Sequence, residues 1–234
     1  MGKLHFIFPG DPPSAFPPVG NALTEPNGLL AVGGDLTPER LLSAYSRGIF
    51  PWFNEGEPIL WWSPDPRLVM LPGELHVSRS LRKTLARNPF DIRFNTAFKD
   101  VMLACAQPRK KQAGTWISEQ MVAAYHTLHT LGHAHSIEAW RNGELVGGLY
   151  GVAIGKVFFG ESMFTRVPDA SKVAFVHFIQ HITAKKFELV DCQVATEHLI
   201  SLGAREIPRS EFVTRLREWC LISNDSGSWH CRPP

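Results

Sequence analysis

The spacing of apolar and polar positions changes several times along this chain. Residues 10–35 are rich in proline and glycine, which predicts a loop-rich start. Thr37-Pro38 then predicts the beginning of a helix that Gly48 ends. Residues 50–67 hold three tryptophans and four prolines, and because proline breaks regular elements they predict ordered loop. Three further helices are expected over 78–87, 96–106 and 118–131.

The period falls to two residues between 134 and 164, where Asn142-Gly143 predicts a hairpin turn followed by a third strand. A long helix from about 169, a strand at 188–194 and two shorter helices are expected next. This order predicts the α+β class, with a mixed sheet flanked by helices as in the C-terminal half of the N-acetyltransferase-like (GNAT) fold. We expect a small N-terminal domain at 1–63 and a GNAT-like domain at 64–234.

Composition indicates a soluble protein of a reducing compartment, and we expect a cytoplasmic one. Of the 234 residues, 44% are hydrophobic, but none of the apolar runs reaches the roughly 18 residues of a membrane span. The start of the chain lacks the pattern of a secretory signal. The four cysteines are scattered without a C-x-x-C pair, which favours neither disulfides nor a cysteine-based zinc site.

The net charge of +2 hides an uneven distribution. Residues 76–111 carry nine basic and two acidic side chains, a net +7, which leaves −5 for the rest of the chain. Such asymmetry indicates an anionic partner such as nucleic acid, although a solvated helix face is the commoner meaning of a charge run.

Three polar residues stand out in apolar surroundings. Glu161 lies in VFFGESMF, and Asp191 and Gln193 lie in LVDCQV, where alternate strand positions share a face. If the two strands are neighbours, the three side chains converge on one cleft. The alternative is that Glu161 caps backbone or pairs with an arginine and that Asp191 points outward. Room for a ligand beside this cleft is expected at four glycines: Gly147, Gly148, Gly151 and Gly160.

Other chemistries find little support. In the cluster His126, His129, His133 and His135, Gly132 is expected to end the helix between His129 and His133, and no H-E-x-x-H motif is present. We therefore predict no metal and take these as surface or core side chains, a metal site being the alternative. Walker A, G-x-G-x-x-G and G-x-S-x-G motifs are absent. The link SMFTRVPDASK has no glycine and puts an acid at the helix cap, which counts against binding of a CoA pyrophosphate.

Taken together, the motifs closely resemble the leucyl/phenylalanyl-tRNA–protein transferase family. They run in order from 25 to 209, whereas 1–20 and 220–234 match poorly. The resemblance implies transfer of Leu or Phe, and Met less well, from aminoacyl-tRNA to proteins with N-terminal Arg or Lys. It also implies a monomer without a cofactor, whose products enter N-end rule degradation. The motifs are EPNGLLAVGGDLTPERLLSAYSRGIFPWF, ILWWSPDPR, GTWI, GHAHSIEAW, LVGGLYG, FFGESMF, ASK, DCQV and SLGAREIPR.

The same resemblance implies roles for individual residues. Trp52 and Trp116 would hold the 3′ adenosine of the tRNA by stacking. Glu161 would bind the basic side chain of the acceptor, while Asp191 and Gln193 would take part in the chemistry. Contact with the tRNA acceptor stem is implied for the basic residues Arg79, Lys83, Arg109, Lys110 and Lys111. The amino-acid pocket would consist of Leu149, Met163, Phe175 and Phe178.

Two competing hypotheses remain beside aminoacyl transfer. The first is an acetyltransferase that uses acyl-CoA, against which the missing glycine-rich loop counts. The second is a tRNA-binding module without catalytic activity, which leaves the carboxylates of the apolar cleft unexplained. For aminoacyl transfer the donor ester is already activated, so orientation of the acceptor amine is the main task of the protein.

Overall fold

The computed structural model describes residues 4–107, 116–222 and Trp229, which form two β-sheets and seven α-helices. No helix in these ranges is long and apolar enough to cross a membrane. The strands are β1 (His5–Ile7), β2 (Leu29–Gly33), β3 (Phe50–Pro51), β4 (Leu60–Trp62), β5 (Arg67–Met70), β6 (Asp91–Phe94), β7 (Ala134–Arg141), β8 (Glu144–Ile154), β9 (Val157–Thr165), β10 (Leu189–Gln193) and β11 (Arg205–Ile207). The helices are α1 (Pro38–Tyr45), α2 (Arg79–Arg87), α3 (Phe98–Cys105), α4 (Glu119–Thr130), α5 (Ala170–Ala184), α6 (Glu197–Ser201) and α7 (Arg209–Trp219).

The smaller sheet has the strand order β1-β2-β4-β3, and the larger sheet has the order β11-β5-β10-β9-β8-β7-β6. The pairs β1–β2 and β9–β10 are parallel, and the other pairs are antiparallel. The predicted α+β class with a mixed sheet is therefore confirmed, as is the predicted order of hairpin, strand, helix and strand (β7–β8, β9, α5, β10). The chain passes from one sheet to the other between Trp62 and Arg67, beside the expected boundary at residue 63.

The expectation of loop over 50–67 is wrong in part, because this segment supplies β3 and β4. Trp61 is fully buried, and its indole N–H donates to the carbonyl of Gly33 across the sheet at 2.8 Å. Pro51 lies in the edge strand β3, where a missing backbone donor is tolerated. Burial of the large aromatic side chains thus outweighs the local effect of the prolines.

Helices cover both faces of the larger sheet. Alternate residues of β8 enter different hydrophobic clusters: Leu149 and Ala153 join the cluster under α5, whereas Tyr150 and Val152 face the cluster that includes α3 and α4. The second cluster also contains the core of the smaller sheet and residues of α7. The N-terminal sheet therefore packs against the α3/α4 side and shares its core.

Glycines of β8 allow close packing within the protein. A Cβ at Gly147 would lie 2.6 Å from the Cβ of Ala170, at the beginning of α5, and one at Gly148 would lie 2.7 Å from the carbonyl oxygen of Ile137. A Cβ at Gly151 would collide with the carbonyl oxygen of Phe159. The expectation that these three glycines leave room for a ligand is wrong, because protein atoms already occupy that space.

We predict that Gly151→Ala lowers the free energy of unfolding by about 1–3 kcal/mol, because overpacking forces the Phe159 backbone to move. The matched control is Gly73→Ala, since a Cβ at Gly73 meets no atom within 4 Å. Urea unfolding monitored by circular dichroism measures both variants. Equal stabilities for the two variants would contradict the packing described for Gly151.

Candidate functional site

A cavity of about 350 Å³ opens where the parallel strands β9 and β10 separate. The two strands pair only through residues 157–159 and 189–191. Beyond that point the two strands form no backbone pairs, and the cavity is lined by Gly160 and Glu161 of β9 and by Gln193 of β10. The separation therefore brings the ends of both strands, with their polar side chains, to one place.

Backbone irregularities accompany this separation. The register between β8 and β9 shifts at Tyr150/Gly151, and the register between β10 and β5 shifts between Asp191 and Gln193. Gln193 has a φ of 62°, which is uncommon for a residue other than glycine. Its backbone N–H donates to Oδ1 of Asp191 at 2.9 Å, which holds this conformation in place. Such bulges turn side chains away from regular strand alternation.

Glu161 accepts hydrogen bonds from neutral groups of three different elements. The Tyr45 hydroxyl donates to Oε1 at 2.7 Å, the Tyr125 hydroxyl to Oε2 at 3.2 Å, and the Gln193 side-chain amide to Oε1 at 2.9 Å. The two tyrosine hydroxyls also contact each other. Among the described residues no basic side chain lies within ion-pair distance of Glu161. The expected alternative of an internal arginine partner is therefore not found in these ranges.

The surroundings of Glu161 raise the pKa of its carboxyl group. Burial raises the pKa of Glu161 to about 7, and the negative charge of Asp191 acts in the same direction. The hydrogen bonds from Tyr45, Tyr125 and Gln193 act in the opposite direction. Burial and the charge of Glu161 together raise the pKa of both tyrosines well above 10, so both remain hydrogen-bond donors at neutral pH. Near pH 7 the carboxyl group therefore exists in both its charged and its neutral form.

Asp191 lies behind the cavity wall and not on it. It is fully buried, and its carboxylate accepts two hydrogen bonds from Arg67, at 2.7 Å from Nε and 2.6 Å from Nη2. The prediction that Asp191 converges on the cleft with Glu161 and Gln193 is therefore wrong. The physical reason is the bulge after Asp191, which places Asp191 and Gln193 in different environments.

Arg67 connects the two sheets at this site. Its guanidinium lies 4.7 Å from the ring centroid of Phe50 and 4.8 Å from that of Phe212, and Nη1 donates to the carbonyl of Gly48 at 3.3 Å. The side chain is fully buried, so the ion pair with Asp191 neutralises a charge that would otherwise be unpaired in the core. Through Asp191, the same pair holds the backbone N–H of Gln193.

The cavity wall contains every apolar residue that the sequence suggested for the amino-acid pocket: Leu149, Met163, Phe175 and Phe178. Trp52 and Trp116 line it as well. The Trp52 side chain is 42% exposed and its ring centroid lies 5.9 Å from that of Trp62. An apolar wall with a few polar groups and exposed aromatic rings is typical of a site for a ligand that has both apolar and polar parts.

The predicted nucleic-acid surface is described only in part. Arg79 and Lys83 lie on the exposed face of α2, which follows the N-cap Ser78 and agrees with the helix predicted over 78–87. Three further residues of this prediction lie outside the described residues: Arg109, Lys110 and Lys111.

Two of the four histidines of the cluster, His129 and His135, make packing contacts in the part of the chain that the structure describes. His129 stacks on Phe98, with ring centroids 4.3 Å apart, and its Nδ1 lies 2.8 Å from the carbonyl of Ala134. His135 stacks on Trp229 at 4.0 Å. Within the described ranges, no group of three or more His, Cys, Asp or Glu side chains is arranged to hold a metal.

Sequence reasoning missed the tyrosines and Arg67. The chain has only three tyrosines, and all of them lie at or beside this cavity, but they come from three distant segments. Arg67 follows the proline-rich segment and carries no local sign of burial. The position of the tyrosines and the burial of Arg67 both depend on tertiary packing. The small number of tyrosines in the chain is the one sequence feature that could have drawn attention to them.

The beginning of α5 is poorly suited to a CoA pyrophosphate. Asp169 occupies its N-cap with a φ of 64°, and its carboxylate accepts a hydrogen bond from the Thr84 hydroxyl at 2.9 Å. A negative charge at this position repels phosphate from the helix N-terminus. The acetyltransferase hypothesis thus gains no support from this element.

We predict that Asp191→Leu lowers the free energy of unfolding by about 3–5 kcal/mol, because Arg67 would remain charged and unpaired in the core. The double variant Arg67→Met/Asp191→Leu should recover most of that loss. Urea unfolding of the two variants and the wild type measures the difference. If the double variant is as unstable as the single one, the ion pair does not carry the stability assigned to it.

Comparison with known proteins finds extensive similarity to one family. Residues 69–217 match the family model described as leucyl/phenylalanyl-tRNA protein transferase, and residues 34–65 match the model of its N-terminal domain. The chain is 60% identical over 215 residues to a leucyl/phenylalanyl-tRNA–protein transferase from Nitrosomonas europaea, covering 92% of this chain and 91% of that relative. It is 62% identical over 216 residues to one from Nitrosospira multiformis, covering 92% and 93% of the two chains.

Similarity to solved structures is weaker. A GCN5-related N-acetyltransferase from Kribbella flavida matches 72% of this chain and 60% of its own, with 12% identity and a TM-score of 0.37. This likeness carries no argument about function. The two family models, in contrast, match residues 34–65 and 69–217, and the two curated relatives cover 92% of the chain. The chain therefore belongs to the leucyl/phenylalanyl-tRNA protein transferase family.

Proposed function

We propose that the protein transfers Leu or Phe, and Met less well, from aminoacyl-tRNA to the α-amino group of proteins that begin with Arg or Lys. The observation that carries this proposal is Glu161, a carboxylate at the wall of an apolar cavity that only neutral donors contact among the described residues. Family membership supports the tRNA-dependent transfer, and the carboxylate suits a basic acceptor. A cation of the substrate would neutralise the negative charge of Glu161.

The aminoacyl end of the donor would occupy the apolar side of the cavity. A volume of about 350 Å³ is large enough for a leucine or phenylalanine side chain together with part of the adenosine. Leu149, Met163 and Phe178 would contact the amino-acid side chain, with Phe175 beside them. Because a missing methylene typically changes binding by only about 1–3 kcal/mol, some transfer of Met is expected.

The tRNA would bind at the tryptophans and the basic surface. Trp52 and Trp116 offer aromatic faces to the unpaired 3′ end, where stacking on bases tolerates any sequence. The exposed cations Arg79 and Lys83 would contact phosphates of the acceptor stem, which positions the tRNA without reading bases. We propose the same contact for the basic run Arg109, Lys110 and Lys111.

The chemistry requires orientation more than activation. The neutral α-amine attacks the ester carbonyl, the new C–N bond forms, and the tRNA 3′ oxygen leaves with a proton that derives from the amine. An α-amine has an ordinary pKa near 8, so a useful fraction is neutral at physiological pH. We assign acceptor binding to Glu161 and orientation of the amine to Gln193. Asp191 acts as a positioning residue, because it touches Gln193 and not the cavity.

We propose a cytoplasmic monomer without a cofactor, which acts on aminoacyl-tRNA and on proteins with N-terminal Arg or Lys. Its products would be marked for N-end rule degradation. These points rest on the family resemblance.

The direct test is transfer of labelled Phe from Phe-tRNA to peptides that differ only at their first residue. We expect transfer to Arg- and Lys-initiated peptides and little to Ala- or Glu-initiated ones. Binding of Phe-tRNA without transfer to any of these peptides would instead support the tRNA-binding module. Transfer of an acetyl group from acetyl-CoA would support the acetyltransferase.

We predict that Glu161→Gln raises KM for an Arg-initiated peptide about 10- to 100-fold, because an ion pair in a cavity of low polarity is lost. KM for Phe-tRNA should change less than threefold. The exposed Glu144→Gln is the matched control, and steady-state transfer kinetics measure all three proteins. A collapse of Phe-tRNA binding in Glu161→Gln would place this residue on the donor side.

Wild type and Glu161→Gln together also test how the use of the acceptor depends on pH. Because the pKa of Glu161 is raised to about 7, its charged form increases as pH rises through 7. The ratio of kcat/KM between wild type and Glu161→Gln should therefore increase from pH 6 to pH 8. Taking the ratio cancels the titration of the peptide amine. A ratio that does not change with pH would contradict the raised pKa.

We predict that Trp116→Ala raises KM for Phe-tRNA about 5- to 100-fold, since stacking on one base contributes about 1–3 kcal/mol. KM for the Arg-initiated peptide should stay within threefold of wild type. Transfer kinetics with each substrate varied in turn separate the two effects. An effect on the peptide alone would remove Trp116 from the donor site.

A further inference from the structure

Tyr150 differs from the other two tyrosines of the chain in how its hydroxyl is used. Tyr45 and Tyr125 both donate to Glu161. Tyr150 also lines the cavity and is fully buried, but its hydroxyl has no hydrogen-bond partner among the described residues. Since buried hydroxyl groups are nearly always paired, this one calls for an explanation.

Packing holds the Tyr150 ring in a fixed position. Its centroid lies 5.9 Å from that of Phe98 and 6.0 Å from that of Tyr125, and both contacts are edge-to-face. A phenylalanine would make the same ring contacts without leaving a polar atom unpaired. The hydroxyl makes no hydrogen bond with the described residues, and a group of a bound substrate would give it a partner.

The acceptors available at Glu161 are nearly used up. A carboxylate has about four lone-pair directions, and Tyr45, Tyr125 and Gln193 already occupy three of them. An arginine side chain brings five N–H donors and a lysine side chain brings three. Glu161 supplies the opposite charge, but it cannot accept all of these donors. Further acceptor oxygens are needed beside it.

The charge of Glu161 also decides which kind of substrate group suits Tyr150. A developing oxyanion would be repelled by the neighbouring carboxylate, whereas a cation would be attracted. Burial, followed by the charge of Glu161, raises the pKa of Tyr150 well above 10. The phenol therefore stays neutral, and its oxygen can accept a hydrogen bond from a cation.

We propose that the Tyr150 hydroxyl oxygen accepts a hydrogen bond from the basic side chain at the N-terminus of the acceptor, beside Glu161. This inference rests on the proposed function and makes Tyr150 a residue that determines specificity for the acceptor. It adds an uncharged acceptor to the carboxylate, so the pair would recognise both the charge and the N–H donors of Arg or Lys.

Tyr150→Phe tests this inference, because it removes one oxygen and keeps the ring. We expect KM for an Arg-initiated peptide to rise about 10- to 150-fold, as for loss of a hydrogen bond to a charged group. KM for Phe-tRNA should change less than twofold. The melting temperature should stay the same or rise, because an unpaired buried hydroxyl is removed. Steady-state kinetics and thermal unfolding of the full chain provide the three readouts.

Two results would overturn the inference while leaving the proposed function intact. One is a wild-type KM for the Arg-initiated peptide in Tyr150→Phe. The other is a lower melting temperature with equal increases of both KM values, which would assign the hydroxyl a structural role. If the wild-type protein itself transfers nothing to Arg- or Lys-initiated peptides, the proposed function fails first.

Discussion

Glu161 places a carboxylate in an apolar cavity, and the rest of the site is built around the cost of doing so. An unpaired charge in such surroundings is strongly disfavoured unless hydrogen bonds or an opposite charge compensate for it. Here Tyr45, Tyr125 and Gln193 supply hydrogen bonds but no positive charge. The compensation is therefore partial, which is why the pKa of Glu161 rises to about 7. A cationic substrate would supply the remaining part.

The contrast with Asp191 shows how the same chemistry serves two purposes. Asp191 is fully buried, yet the bidentate contact with Arg67 neutralises its charge within the chain. Arg67 in turn packs between Phe50 and Phe212, so the ion pair joins the N-terminal sheet to the larger one. One carboxylate thus fixes the geometry of Gln193, and the other remains available to a ligand. Two acids that look alike in the sequence thus lie in different environments, because the bulge after Asp191 places this side chain away from the cavity that Glu161 lines.

The sequence predicted those parts of the structure that depend on periodicity. The hairpin at Asn142-Gly143, the strands that follow it and the long helix at 170–184 are confirmed, and they bring Glu161 and Gln193 onto neighbouring strands. The apolar residues suggested for a pocket do line one cavity. These features follow from the spacing of apolar and polar residues within a single segment of the chain, so they can be predicted without knowledge of distant contacts.

Features that depend on tertiary contacts were not predictable in the same way. The bulge at Asp191 breaks strand alternation and moves this side chain off the cavity wall. The glycines of β8 make room for Phe159, Ala170 and other protein atoms, which no local pattern reveals. Tyr45 and Tyr125 reach Glu161 from 116 and 36 residues away in the sequence. Packing between distant segments decides each of these cases.

Proton exchange on binding tests the central claim about Glu161 most directly. Calorimetric titration of an Arg-initiated peptide at pH 7, in buffers with different ionisation enthalpies, measures the protons released. Because the pKa of Glu161 is raised to about 7, the free protein carries a partly protonated Glu161, so a cation that binds there should release protons beyond those that the peptide amine releases. Glu161→Gln should lose this release. No net release from the wild type, or the same release from Glu161→Gln, would contradict the role assigned to this carboxylate.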